Sequence, residues 1–477
     1  MIPVLLVVEA VVAAILIVAA LVLRDPARAA ILVSAAVAVF FGYRHVAVLT
    51  AESPIAGRPV QLLWAAIGLG AVLLAWRGGR PLRIATRALN ALGLALILVA
   101  SLVIVPHELA QVGNAAPAPA PVPAERPTVP SSEPLRDIWF LVLDRYGSAE
   151  SLELNYGIEE QLTPWLAAQG FHVTPDAHAN YWRTSLSMAS VLNLDYLDAL
   201  TPGLSAADRL KDHAAGRFLT DLGYRYIHIG SIFGPTRTAI RATDNPLLEN
   251  TSDFAAAVFD SSLARTIVRW VGEDKIDPRR QRQADWARFE LDALDAAVDV
   301  PGPKFVFGHL LLPHPPYVFD AEGNLVSDAA DARRSRSEAY EAQMTYLDAR
   351  LKKLLEPLLA LPEAERPVVV VMADEGPYPA RYEGNPQIAG PDPDFDWSSV
   401  TDEELRIKFG ILHAMLLPGV DPDRVPHPLT AVNTLRFVFD EYFDAELPLR
   451  PDRVLIPGRS AQEPVDISDR LGIGAAR

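Results

Sequence analysis

The chain contains no cysteine. That excludes disulfides, thiolate metal ligands and a cysteine nucleophile, and it leaves the redox compartment open. Lysine is missing from residues 1–112, where Arg24, Arg28, Arg44, Arg58, Arg77, Arg80, Arg83 and Arg87 stand against Glu9, Asp25, Glu52 and Glu108. This stretch carries +4, so the rest of a chain of net charge −16 carries −20. A remainder that acidic lacks the basic face of a nucleic-acid binder, so no nucleic-acid partner is expected. Its field also disfavours long polyanions as substrates.

In place of charge, the first part of the chain has apolar length. Val4–Leu23, Ala29–Val48, Val60–Trp76 and Ala88–Val105 each come close to the ~20 residues a helix needs to cross ~30 Å of hydrocarbon. The first run lacks a basic leading segment and an A-x-A cleavage site, and three more follow it, so it reads as a retained helix and not a signal peptide. Arg44-His45 mark the outer interface of the second run. Arg77, Arg80, Arg83 and Arg87 share one connection with no acid, and Arg24 and Arg28 outnumber Asp25 in another. The positive-inside rule makes both cytoplasmic. The N-terminus and everything after Val105 are then expected outside a multi-pass cell-membrane anchor.

Asn114–Pro134 includes Ala115-Ala-Pro-Ala-Pro-Ala-Pro-Val-Pro, which favours extended polyproline II and builds no core. The expected organisation is therefore a transmembrane domain of four helices at 1–112, a linker at 113–134 and an extracytoplasmic domain at 135–477.

Beyond Leu135, Ile138–Leu143, Tyr224–Ile229, Phe305–Leu312, Val368–Met372 and Ile411–Leu417 are short, nearly continuous apolar runs, as buried parallel strands require. Amphipathic stretches alternate with them: Glu159–Gln169, Ser185–Leu197, Ala206–Leu222, Gln283–Val298 and Ser335–Leu361. The alternation predicts an α/β domain with a mostly parallel central sheet flanked by helices. Glu383–Ser399, rich in Gly, Pro and Asp, reads as a long loop.

Ligands of such folds sit beyond the carboxyl ends of the strands. Three strand ends carry suitable side chains: Asp144, His309 with His314, and Asp374-Glu375. Taken singly, Asp144 and Asp374 are explained by ordinary turns, His309 by a satisfied core histidine and Thr184 by a helix cap. Taken together, hard oxygen donors from two strand ends suit a divalent cation. Thr184, entering the helical stretch Thr-Ser-Leu-Ser-Met-Ala-Ser, lies in the positive field of a helix N-terminus, where a hydroxyl is activated and an oxyanion is held. His314 lies in Pro-His-Pro-Pro-Tyr, suited to contact substrate or protonate a leaving oxygen. His413 reads as structural, and His172, His178, His213 and His228 have no partner visible in the sequence.

These residues, in this order, resemble the sulfatase-like branch of the alkaline phosphatase superfamily: Asp144 after a hydrophobic strand, a threonine opening T-x-x-S-M-x-S, PHPPY, and D-x-G after a valine run. They are similar to its membrane phosphotransferases, the lipoteichoic acid synthases and phosphoethanolamine transferases. The stretches NYWRTSLSMASVLNLDYL and AVNTLRFVFDEYF resemble bacterial sulfatase-like membrane proteins. The resemblance, over roughly residues 136–455, implies Asp144, Thr184, Asp374 and Glu375 as metal ligands. It makes Thr184 the nucleophile and His314 a catalytic contact to substrate, with His309 and Arg145 beside the substrate. The family's Asp-His is Asp374-Glu375 here, which favours Mn²⁺, Mg²⁺ or Ca²⁺ over Zn²⁺ as the one divalent cation. Sulfatases need a cysteine or serine in C/S-x-P-x-R, so sulfate-ester hydrolysis is not expected. The implied activity is transfer of a phosphoryl-linked head group from a membrane lipid to a cell-envelope glycan or lipid. The alternatives are a phosphatase or phosphodiesterase and a non-catalytic envelope binding protein.

Overall fold

Three apolar helices open the chain where the first three runs predict them: α1 (Ile2–Leu23), α2 (Pro26–Leu49) and α3 (Arg58–Arg77). The computed structural model describes residues 2–49, 58–77, 84, 87, 135–200, 203–248, 262–263, 277–382, 396–427, 429–458 and 464–473. The fourth run, the Ala-Pro linker and most of the Glu383–Ser399 loop lie outside the described residues. The chain divides into two compact units, Met1–Ala118 with Glu249–Arg279, and Pro119–Leu248 with Arg280–Arg477.

In the first unit, α2 contains an apolar stretch of 18 residues, Pro26–Tyr43, long enough to cross a membrane. Ala10–Leu23 and Pro59–Leu73 are shorter apolar stretches. The Asp25 carboxylate accepts from the N–H groups of Ala27 and Arg28 (3.0 and 3.2 Å) and so caps α2. Trp64 donates its indole N–H to the Val39 carbonyl at 2.7 Å, binding α3 to α2. Gly42 makes room for that ring, since a Cβ there would meet it at 2.9 Å. Leu263 donates its N–H to the Phe40 carbonyl at 2.8 Å, which brings a late segment into this unit. No sequence feature signals that grouping.

The second unit is built on a six-stranded sheet. Its strands are β1 (Ile138–Leu143), β2 (His172–Val173), β3 (Arg225–Ile229), β4 (Lys304–Leu310), β5 (Val368–Ala373) and β6 (His413–Leu416), in the order β2-β6-β5-β1-β4-β3. β5, β1, β4 and β3 are parallel, whereas β6 is antiparallel to β5 and β2 to β6. The sheet is thus mixed and mostly parallel. Every residue of β1 and β5 is buried, and each large apolar side chain so buried is worth about 1.5–3 kcal/mol.

Further helices include α4 (Ala149–Tyr156), α5 (Leu162–Ala168), α6 (Thr184–Leu192), α7 (Ala206–Lys211), α8 (Ala214–Asp221), α9 (Pro278–Val298), α10 (Arg336–Leu359), α11 (Asp402–Phe409) and α12 (Thr434–Phe443). The predicted Ala206–Leu222 helix breaks in two because His213 leaves helical geometry and its side chain caps α8 through the Gly216 N–H.

Candidate active site

Parallel register brings the site together. Leu143 pairs with Ala373, so Asp144 and Asp374 leave the sheet as neighbours. His309 pairs with Val142 from the other side of β1. Ligand atoms of Asp144, His309 and Asp374 all lie within 4.8 Å of one another. The three residues are 2%, 1% and 0% exposed. Asp144 Oδ1, His309 Nε2 and Asp374 Oδ2 are buried with no hydrogen-bond partner. Buried polar atoms are otherwise satisfied as a rule. Three buried residues whose ligand atoms cluster, each with a polar atom left unsatisfied, therefore fit a divalent cation with mixed oxygen and nitrogen preference.

The other Asp374 oxygen, Oδ1, accepts from the Arg145 N–H at 3.1 Å. Arg145 holds this position in the left-handed region, φ 63°. A non-glycine residue there costs on the order of 1–3 kcal/mol, offset by its contacts. Thr184 is the first residue of α6. The cap is Arg183, in extended geometry and without a side-chain bond to the helix. The threonine hydroxyl is therefore not the cap that the sequence alone also allows. It stands beside Asp374 instead.

Electrostatics divide the two carboxylates. Burial, with Asp144 and Glu375 as neighbours, pushes the Asp374 carboxyl well above its ordinary range, and the Thr184 hydroxyl and Arg145 N–H offset this only in part. Burial also pushes Asp144 up, but His314, His309 and Arg145 draw it down to about 2. Burial and its acidic neighbours thus favour the protonated form at Asp374 more than at Asp144, as expected of close carboxylates. Burial lowers the pKa of His314 against the opposing pull of Asp144. Its Nδ1 is hydrogen-bonded to the Pro315 carbonyl, and its own carbonyl accepts from Gln343 Nε2 at 3.0 Å.

Glu375 has different company. Its Oε1 accepts from Arg145 Nε at 3.0 Å and its Oε2 from Lys408 Nζ at 2.6 Å. Both cations also face the Tyr378 ring, at 3.7 and 4.5 Å from its centroid. The structure thus gathers Asp144, His309, Asp374 and Thr184, with His314 and Arg145 adjacent. Glu375, an expected ligand, gives both oxygens to cations, while His309, expected beside substrate, stands among the ligand atoms. Sequence reasoning missed Lys408 and Tyr378. A lysine between Ile407 and Phe409 on a short helix is the one faint signal for the former.

No protein-family model matches the chain. No curated protein matches it either. Among solved structures it is similar to several domains at low identity. The C-terminal periplasmic domain of EcEptC from Escherichia coli, in complex with Zn, shares 12% identity over 72% of this chain and 98% of that one, with a TM-score of 0.46. The soluble domain of lipooligosaccharide phosphoethanolamine transferase A from Neisseria meningitidis shares 14% over 65% and 89%, with a TM-score of 0.43. The integral membrane form of that transferase shares 12% over 80% and 69%, also at 0.43. Likeness this remote assigns no activity, which rests on the site itself.

Proposed function

We propose that the chain is a metal-dependent phosphotransferase working at the outer face of a membrane, with Thr184 as nucleophile. The observation that carries this reading is the cluster of three buried ligand residues, each with an unsatisfied polar atom, beside a threonine hydroxyl at a helix N-terminus. Asp144, His309 and Asp374 would hold the cation. When bound, it supplies Lewis-acid stabilisation of phosphoryl charge and eases deprotonation of the nearby hydroxyl. The hard-ion preference drawn from the sequence rested on Glu375; a donor set with an imidazole suits Zn²⁺ as well as Mn²⁺.

The residues divide the work as follows. Thr184 Oγ1 attacks phosphorus, the bond from phosphorus to the leaving alcohol breaks, and that alcohol departs with a proton, leaving phospho-threonine. An acceptor hydroxyl then attacks phosphorus, the Thr184 ester bond breaks, and Oγ1 regains a proton. Arg145, clamped by Glu375, offers its guanidinium to a phosphoryl oxygen. His314, kept neutral by burial, takes the proton of the incoming hydroxyl. With Lys408 charged in its pair with Glu375, three carboxylates (Asp144, Asp374, Glu375) face two cations (Arg145, Lys408). A divalent ion then leaves one positive charge, which a phosphodiester monoanion neutralises and a monoester dianion oversteps. With apolar N-terminal helices on the same chain, this favours a phospholipid head group as donor and an envelope glycan or lipid as acceptor.

The test is mass spectrometry of the Thr184 peptide after the full-length protein, in liposomes with Mn²⁺ or Zn²⁺, meets phospholipid. A head-group phosphate adduct on Thr184, absent from Thr184→Ala, is expected. Undiminished turnover by Thr184→Ala would overturn the nucleophile assignment.

A further inference from the structure

An imidazole binds a cation through a bare lone pair, so the cation site proposed above requires His309 to carry its proton on Nδ1 and present Nε2. Nδ1 lies 3.0 Å from the Thr236 hydroxyl, and both groups are buried. Thr236 is itself 2.8 Å from the Ser231 hydroxyl, and both hydroxyls reach the Phe233 carbonyl at 3.3 Å. The two hydroxyl protons can thus run from Thr236 to Ser231 to the carbonyl, leaving an Oγ1 lone pair aimed at Nδ1. The opposite tautomer would put its N–H on Nε2, where Asp144 Oδ2 at 3.6 Å is too far to accept it. That would bury an unsatisfied donor, which costs about 1–3 kcal/mol.

Thr236 does not drift, because a directed chain of hydrogen bonds fixes its backbone. Gly216 donates its N–H to His213 Nδ1 at 2.9 Å, which places the His213 proton on Nε2. That proton goes to the Tyr226 oxygen at 2.7 Å, Tyr226 donates to His228 Nδ1 at 3.0 Å, and His228 Nε2–H donates to the Thr236 carbonyl at 2.8 Å. The chain needs both histidines neutral, and burial lowers them to about 3 and about 4. Glu290 holds the same loop from α9 by accepting the Ile232 N–H at 3.3 Å, and Phe233 packs edge-on against the His309 ring.

We propose that Thr236 is a positioning residue: its hydroxyl accepts the Nδ1–H of His309 and so selects the tautomer that presents Nε2 to a divalent cation. The inference rests on the ligand set proposed above, and the experiment separates the two. Affinities of the detergent-solubilised full-length protein for Zn²⁺ and for Mn²⁺ are measured by chelator competition. His309→Ala sets the scale. Thr236→Val removes the hydroxyl at constant shape and should weaken binding about 10- to 100-fold, more for Zn²⁺ than for Mn²⁺ because the lost donor is an imidazole. Thr236→Ser should restore it. If His309→Ala leaves cation affinity unchanged, the ligand set itself is wrong. If His309→Ala weakens binding while Thr236→Val binds like the wild type, the ligand set stands and the role of Thr236 falls. Should Thr236→Val fail to fold, Thr236→Ala decides against Thr236→Ser: weaker binding in the alanine variant alone supports the role, and equal binding in both overturns it.

Discussion

Two charged clusters lie buried at the same strand ends, with Arg145 between them, and they are built on opposite plans. Around Glu375 every charge meets its opposite: each oxygen has a cation, and both cations lean on the Tyr378 ring. Around Asp374 two carboxyl groups crowd together, and Asp144, His309 and Asp374 each keep a buried polar atom with no hydrogen-bond partner. A buried charge without compensation costs several kcal/mol, so a fold retains such a cluster only where something else completes it. The paired cluster reads as scaffold and the unpaired one as a socket. Adjacent carboxylates, consecutive in sequence, thereby acquire different duties from what surrounds them.

Four experiments press on that contrast. The largest effect belongs to the hydroxyl beside the socket: Thr184→Ala should lower turnover on the order of 10⁴-fold or more while the denaturation midpoint hardly moves, since the hydroxyl caps nothing. Next comes the scaffold. Glu375→Gln strands Lys408 and Arg145 and should cost about 3–5 kcal/mol of stability, read by chemical denaturation. Glu375→Gln with Lys408→Met should recover much of it, and equal losses in the single and double variants would show that the pair is not coupled. The socket should respond with the opposite sign. Asp374→Asn removes a carboxyl whose charged form burial and its acidic neighbours disfavour, so metal-free stability should hold or rise, while the increase in melting temperature on adding Zn²⁺ or Mn²⁺ disappears. A variant that melts early without metal would refute the distinction.

The smallest effect lies behind the scaffold, where the Tyr146 hydroxyl reaches Glu160 at 3.2 Å and Asp348 at 3.0 Å. Burial, with Glu160 adding to it, raises Asp348 from 3.8 to about 7 against the Tyr146 hydrogen bond. The folded state therefore binds this proton more tightly than the unfolded chain. The stability that proton contributes is full below the unfolded value and is lost as pH rises through about 7. Asp348→Asn should reduce the slope of stability against pH between those limits by as much as about 1.4 kcal/mol per pH unit. An unchanged slope would mean that Asp348 ionises normally.

Much of this was legible in the sequence, for identifiable reasons. Strands such as Ile138–Leu143 and Val368–Ala373 are buried on both faces, so their apolar runs are unbroken and visible. Asp144, Asp374 and Thr184 stand out because each ends or opens an element. Short helices escaped although their signals were present. Ser148 and Gly157 bracket α4, and Thr401 with Glu404 forms the capping box of α11. The parting of Asp374 and Glu375 was not legible. It depends on Lys408 arriving from α11, a contact made across tertiary structure. The place of His309 was equally hidden, since it follows from the pairing of β4 with β1 and from Thr236 in a turn after β3.

The socket's three donor atoms come from positions 144, 309 and 374, on three strands that become neighbours only when the sheet closes. No stretch of nascent chain holds two of them together, so an unfolded chain cannot carry the cation as cargo. Under the proposed ligand set, loading would wait for folding, and whichever ions surround the protein where its sheet closes would compete for the site. The occupant would then be set as much by the compartment of maturation as by the affinity of the donors.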